Sequence, residues 1–205
     1  MCGIVGAVAE RNVAPILIQG LQRLEYRGYD SAGLAVLQAD GTLQRRREVG
    51  KVVNLSSNLD AAPVHGTMGI AHTRWATHGT VQEANTHPHM SGNDLALVHN
   101  GIIENYTTLR EELQSMGYVF SSETDSEVIV HLIHSCLGEN GLLQAVRQAV
   151  KRLEGAYAIA VCLAADAGRI VAARSGCPLV VGKGIGENFL ASDAVSYTHL
   201  TLPTI

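Results

Sequence analysis

Residues 1–8 read MCGIVGAV, and the interpretation of the whole chain depends on this stretch. Behind Cys2 comes a short apolar run with β-branched residues between glycines, which is typical of a buried strand. Two roles are open for Cys2. Free cysteine is among the most buried residues of proteins, so it fits a packed position at the start of that strand. It also fits a nucleophile that the strand holds in place.

Removal of Met1 would give Cys2 a free α-amine beside its thiol. Ordinary pKa values of about 8.5 for a thiol and about 7.7–8.0 for an α-amine are close, so moving a proton between them costs roughly 1 kcal/mol. A single residue would then supply both the nucleophile and its base, with the advantage of an intramolecular reaction.

The composition is that of an ordinary globular protein. The 205 residues are 46% hydrophobic and 17% charged, which suits one domain with a sizeable core. The net charge of −4 shows no basic excess, and only 4% of the residues are aromatic, so we expect no nucleic-acid partner. The one basic cluster, the three arginines at 45–47, is interpreted as exposed positions of a strand.

The cysteine spacing and the hydropathy together indicate in which cellular compartment the protein is located. The cysteines at positions 2, 136, 162 and 177 show no CxxC spacing, which favours reduced thiols in a cytoplasmic protein. The N-terminus has no basic region followed by a long apolar core, and no run of about 18 apolar residues occurs. We therefore expect a soluble, cytoplasmic protein with no membrane partner.

Hydrophobic periodicity predicts groups of strands and helices. Helices are predicted at 13–24 with Gly28 as C-cap, at 106–116, after Thr124, and at 142–153. Strands are predicted at 3–8, 34–38, 43–49, 69–73, 95–99 and in four short runs from residue 156 onward. Consecutive strands with short connections favour antiparallel pairing, so this order indicates a layered α+β fold.

Two polar segments follow predicted strands. In AHTRWATHG, residues 71–79, Arg74 carries a planar guanidinium that suits a carboxylate, and Thr77 and His78 add short polar groups. In HNG, residues 99–101, the Asn100-Gly101 pair fits a type I′ hairpin turn. The same pair would also supply two oxyanion donors, the asparagine amide and the glycine backbone N–H.

Asp125 begins a predicted helix, where a negative charge is favourable beside the helix macrodipole. A carboxylate there would also bind an ammonium group. Together with Arg74 it would then match the two charges of an amino-acid zwitterion.

Six histidines lie between residues 65 and 99, so a metal site is a competing hypothesis. The segment has no HExxH motif and no nearby cysteine pair, and we expect neither a metal nor another cofactor. A non-catalytic, histidine-rich metal-binding module remains the alternative.

Five segments together resemble one family. They are CGIVG at 2–6, LEYRGYDSAG at 24–33, HTRWATHG at 72–79, HNGIIEN at 99–105 and ETDSE at 123–127. In this order they are similar to the class II, or N-terminal-nucleophile, glutamine amidotransferases, and within them to the glucosamine-6-phosphate synthase branch. The amidophosphoribosyltransferase branch is the alternative, although it usually carries HRG where this chain has Tyr26-Arg27-Gly28.

The resemblance implies a fold and a reaction. The fold would be a four-layer αββα sandwich, with two antiparallel sheets between helical layers. Cys2 would attack the side-chain amide of L-glutamine with help from its α-amine, ammonia would leave, and water would hydrolyse the γ-glutamyl thioester.

The resemblance also implies roles for single residues. Asn100 and Gly101 match the oxyanion hole. Arg74 matches the position that holds the α-carboxylate of glutamine, and Asp125 matches the one that holds its α-ammonium.

Four further positions are implied to support the site. Thr77 and His78 would lie beside the bound carboxylate, and Trp75 would belong to a lid and interface region. Arg27 resembles a residue that orders the N-terminal site, although a cation at a helix end is its simpler explanation.

The resemblance covers about residues 2–194, which we predict to form the glutaminase domain. Residues 195–205 are expected to be an atypical tail, either a real edge segment or an artefact. The family continues into sugar-isomerase lobes that bind fructose 6-phosphate and are absent here. We therefore expect release of ammonia and glutamate without the sugar product, and a homo-oligomeric full-length enzyme.

Overall fold

The computed structural model describes residues 2–75 and 79–197. Its strands are β1 (Gly3–Ala9), β2 (Ser31–Leu37), β3 (Leu43–Val49), β4 (Met68–Arg74), β5 (His89–Ser91), β6 (Leu95–Ile103), β7 (Gly155–Leu163), β8 (Ile170–Ser175), β9 (Val180–Lys183) and β10 (Glu187–Ala191). Its helices are α1 (Ala14–Leu24), α2 (Val52–Ala61), α3 (Tyr106–Ser115), α4 (Asp125–Ser135) and α5 (Gly141–Val150).

The strands form two sheets. One has six strands in the order β3-β2-β4-β1-β10-β9, and the other has four in the order β5-β6-β7-β8. Neighbouring strands pair antiparallel throughout. β1 lies inside the larger sheet between β4 and β10, so the chain start is held on both sides.

The described residues form four layers, and an apolar cluster fills each of the three spaces between them. The first joins α1 and α2 to the outer face of the larger sheet, and the second joins α3, α4 and α5 to the smaller one. The third lies between the sheets. A buried leucine-sized side chain contributes about 1.5–3 kcal/mol, so these clusters hold the layers together. The predicted αββα sandwich is confirmed.

β1 has two buried faces because a strand alternates its side chains between them. Ile4 belongs to the cluster between the sheets, and Val5 belongs to the cluster under α1. Both are fully buried. This explains why the run GIVGAVA contains no polar residue.

Gly28 is not the left-handed C-cap that the sequence predicts. α1 continues into a 3-10 turn at Glu25–Arg27, and Gly28 then takes an extended conformation with φ of −178°. A Cβ on Gly28 would lie 2.6 Å from the backbone carbon of Arg74. Close approach of two backbones is what requires glycine here.

The three arginines 45–47 differ from the prediction as well. They do lie on β3, but they are half-buried rather than exposed. The guanidinium of Arg45 donates to the Pro88 carbonyl, and that of Arg47 donates to the carbonyls of Ala84 and Thr86. These side chains fasten the loop before β5 to the larger sheet.

The described helices contain 10 or 11 residues each. None of the helices in the described ranges is long and apolar enough to cross a membrane.

Candidate active site

A small polar cavity of about 30 Å³ lies at one end of the sandwich. Residues from five separate parts of the chain line it: Cys2, Arg74, Trp75, His87, His99, Gly101, Thr124, Asp125 and Ser126. The predicted residues Thr77 and His78 lie outside the described residues.

Strand alternation explains why polar groups meet at this point. Ile4, Ile70 and Val98 belong to the apolar cluster between the sheets. Two residues beyond them, on the same faces, lie Cys2, His72 and Asn100. On the inner faces of β4 and β6, and just before β1, polar side chains therefore follow the apolar ones at the same end of the sandwich.

Cys2 lies just before β1 and is half-buried. Its sulfur accepts a hydrogen bond from the backbone N–H of Trp75 at 3.2 Å and lies 3.5 Å from the Trp75 carbonyl oxygen. Burial raises the pKa of the thiol, while the Trp75 N–H and the charge of Arg74 act against that rise. Cys2 thus lines the cavity and is absent from the three apolar clusters, which favours the nucleophile interpretation over the packed one.

Asn100 and Gly101 lie within β6, paired with Ala158 and Tyr157 of β7. The hairpin-turn interpretation is therefore wrong. Gly101 has φ of +135°, and a Cβ there would overlap the carbonyl oxygen of Ala156. The side-chain amide of Asn100 donates to the Cys2 carbonyl at 2.9 Å, which places an N–H donor beside the cysteine.

Two opposite charges line the same cavity. Arg74, at the end of β4, is 3% exposed, and its guanidinium donates to the carbonyls of Thr80 and Gly79. Asp125, at the start of α4, is 4% exposed and accepts from the backbone N–H of Ile103 at 2.9 Å. A cation and an anion thus line the same cavity as the Cys2 thiol.

Trp75 stands at the rim of the cavity. Its side chain is 46% exposed, and its ring packs edge-to-face on Tyr29 with centroids 5.6 Å apart. Tyr29 is exposed too, so the cavity opens beside an aromatic surface.

Arg27 does not line the cavity. Its guanidinium forms an ion pair of 2.9 Å with Asp193, which also accepts from the Tyr26 hydroxyl. The Val195 backbone N–H, the Tyr26 hydroxyl and Arg27 together hold the pKa of the Asp193 carboxyl below its usual value. Arg27 therefore binds the turn after β10 rather than the cavity itself.

Ser192, the residue before Asp193, forms two hydrogen bonds with β1. The backbone N–H of Ile4 donates to the Ser192 hydroxyl at 3.0 Å, and the Ser192 N–H donates to the Ile4 carbonyl at 3.0 Å. Ser192 and Asp193 were not predicted as site residues, and no local pattern marks them. Ser192 anchors β1 two residues after Cys2, and residues 195–197 of the predicted tail form the last turn of this segment.

The histidines form a buried group. The rings of His72 and His87 lie 4.0 Å apart, and those of His87 and His89 lie 4.7 Å apart. Burial lowers the pKa of His72 and of His89 to about 3, and that of His87 well below its usual value. These rings are neutral at physiological pH.

Across residues 2–75 and 79–197 no group of three or more histidine, cysteine, aspartate or glutamate side chains is arranged to hold a metal ion. The metal-binding alternative thus finds no ligand set there. His78 lies outside these residues.

Residues 72–197 match the family of glutamine amidotransferase domains. The chain belongs to this family. It is 63% identical over 202 residues to the glutamine–fructose-6-phosphate aminotransferase [isomerizing] of Pseudomonas putida and 61% identical to that of Pseudomonas aeruginosa. The match covers 98% of this chain but 33% of each relative, so the chain spans about a third of their length.

Solved structures show the same fold. The glutamine phosphoribosylpyrophosphate amidotransferase of B. subtilis superposes with a TM-score of 0.82 at 28% identity, over 96% of this chain and 43% of that one. A glutamine aminotransferase class-II domain protein of Silicibacter pomeroyi gives 0.65 at 17% identity, over 93% and 88%. The higher identity to the fructose-6-phosphate enzymes favours that branch of the family over the phosphoribosyl branch.

Proposed function

We propose that residues 2–194 form a glutaminase domain that hydrolyses L-glutamine through a thioester on Cys2. In a protein of the relatives' length, the ammonia released would aminate fructose 6-phosphate. The observation that carries the hydrolysis is the placement of a thiol, a buried arginine and a buried aspartate around one cavity. Fructose 6-phosphate follows from the names of the relatives at 61–63% identity.

The charges of the cavity suit the two charges of an amino acid. Arg74 would bind the α-carboxylate through its planar guanidinium. Asp125 would bind the α-ammonium. Thr77 and His78 are proposed beside the carboxylate from their sequence positions. The side chain of glutamine would then extend toward Cys2.

The raised pKa of Cys2 leaves little thiolate at neutral pH, so the thiol needs a base. The α-amine that Met1 removal exposes is within the same residue. It would take the thiol proton as sulfur attacks the amide carbon, and it would return that proton to the departing ammonia.

The charge that develops on the amide oxygen needs donors. The side-chain N–H of Asn100 and the backbone N–H of Gly101 are proposed to stabilise it. Collapse of the intermediate breaks the carbon–nitrogen bond and leaves a γ-glutamyl thioester. Water then attacks the thioester, which gives glutamate and restores the thiol.

The test combines mass and activity. Intact mass of the 205-residue chain is expected to show loss of Met1, and a glutamine-like diazo-ketone is expected to label one site. Cys2→Ala should abolish labelling and glutamate release, whereas Cys177→Ala, which changes a half-buried cysteine away from the cavity, should preserve both. Glutamate release that survives Cys2→Ala would refute the proposal.

The cytoplasm as compartment and homo-oligomerisation of a full-length protein remain predictions. The four cysteines are free thiols, as the spacing predicts.

A further inference from the structure

His72 lies directly behind Asn100. It sits on β4 opposite Ile4 of β1 and is fully buried. Its Nε2 atom is 2.9 Å from Oδ1 of Asn100 and 3.0 Å from the backbone oxygen of His99. The ring therefore touches the side chain that contacts the Cys2 carbonyl, from the side opposite Cys2.

Two backbone carbonyls determine how these groups are oriented. A carbonyl oxygen only accepts hydrogen bonds, so the oxygen of His99 requires a proton on Nε2 of His72. That N–H in turn requires the oxygen of the Asn100 amide on its own side. At the other end, the carbonyl oxygen of Cys2 requires the NH2 group of the same amide. Tautomer and amide orientation thus follow from obligate acceptors.

The ring keeps a single protonation state at physiological pH, so this orientation does not change. Burial keeps His72 neutral, so its two nitrogens carry a single proton at physiological pH. Its Nδ1 is buried and has no hydrogen-bond partner among the described residues. A buried polar atom without a partner costs free energy that an apolar side chain would avoid. Packing alone therefore does not account for histidine at this position.

We propose that His72 is a positioning residue, which locks the Asn100 amide with its NH2 group on the side of Cys2, where it contacts the Cys2 carbonyl oxygen. Without the donor behind it, only the Cys2 carbonyl would orient the amide, and in a larger share of the molecules the amide oxygen would face the developing negative charge. This role rests on the proposed glutaminase function and on Asn100 as an oxyanion donor.

The test compares three substitutions in the 205-residue chain. His72→Met removes the donor at similar volume, and we expect kcat for glutamine to fall about 100-fold, as loss of an oxyanion donor does, with KM changed less than about 3-fold. His72→Gln restores an N–H near the Nε2 position and should recover most of kcat. His89→Met makes the same chemical change in the same histidine group, where the ring contacts Thr124 instead, and should keep kcat.

Two further readouts separate positioning from general damage. Alkylation of Cys2 by iodoacetamide needs no oxyanion donor, so its rate should not change in His72→Met. The double variant His72→Met/Asn100→Ala should be no slower than Asn100→Ala alone, because both changes remove one interaction.

The outcomes are distinguishable. A wild-type chain without Cys2-dependent glutaminase refutes the proposed function and this role with it. An active wild type whose His72→Met variant keeps kcat refutes the role alone. If that variant does not fold, nitrogen-15 NMR of the wild type decides: a neutral His72 ring protonated at Nε2 supports the role, and a ring protonated at Nδ1 overturns it.

Discussion

At the scale of single residues, contact with a cavity distinguishes the thiol of the candidate nucleophile from a fully buried thiol. Burial raises the pKa of both Cys2 and Cys162. Cys162 packs fully buried between the sheets, whereas Cys2 lines a cavity and has polar neighbours. A raised pKa alone would class both as unreactive, so the candidate nucleophile is recognised from its surroundings.

Gly101 permits a sharp prediction. Gly101→Ala should destabilise the fold by about 2–4 kcal/mol, because alanine at φ of +135° is strained and its Cβ would overlap the Ala156 oxygen. Urea unfolding measures the change. Gly138→Ala is the matched control, since a Cβ there meets nothing within 4 Å, and it should change the free energy of unfolding little. Equal effects of the two substitutions would contradict this account.

At the scale of elements, periodicity located most helices to within about three residues. It missed α2, in which only Val52 and Leu55 are buried, so that the apolar stripe is too short to detect. It also missed β5, which has three residues. Short elements depend on neighbours for their stability, and local sequence carries little of that information.

The turn after β10 anchors β1, and Ser192 tests this. Ser192→Ala leaves the buried N–H of Ile4 without its acceptor, so we expect a loss of about 1–3 kcal/mol in the free energy of unfolding. Ser115→Ala removes an exposed hydroxyl bonded to its own helix and should cost less than about 0.5 kcal/mol. Urea denaturation of both variants measures the difference, and a Ser192 variant as stable as the Ser115 variant would refute the anchor.

At the scale of the whole molecule, the buried histidines make stability depend on pH. Burial lowers the pKa of His72, His87 and His89 in the folded state below the ordinary value of 6.5. Below pH 6.5 the unfolded chain therefore binds more protons than the folded one. The contribution of these rings to the free energy of unfolding is fully present above pH 6.5. It is lost as the pH falls toward 3, by up to about 1.4 kcal/mol per pH unit for each ring.

Urea unfolding at pH 7, 6.5, 6 and 5.5 checks this dependence, because carboxylates such as Glu127, whose pKa is lowered in the folded state, contribute only as the pH approaches their ordinary value of about 4.5. His87→Phe should reduce the slope, since one of the titrating rings is gone. A slope that this substitution leaves unchanged would contradict the assignment.

The sequence by itself determined the layered fold class, the antiparallel strands and most members of the candidate site. These depend on local periodicity and on residue types at short spacing, which a linear reading contains. The tertiary structure alone decided that HNG is part of a strand, that Gly28 serves a close backbone approach, that Ser192 holds β1 and that His72 orients Asn100. Each depends on contacts between positions far apart in the chain, 188 residues for Ile4 and Ser192 and 28 for His72 and Asn100. Such contacts arise only when the sheets pack, because the packing sets which polar ends of the strands meet.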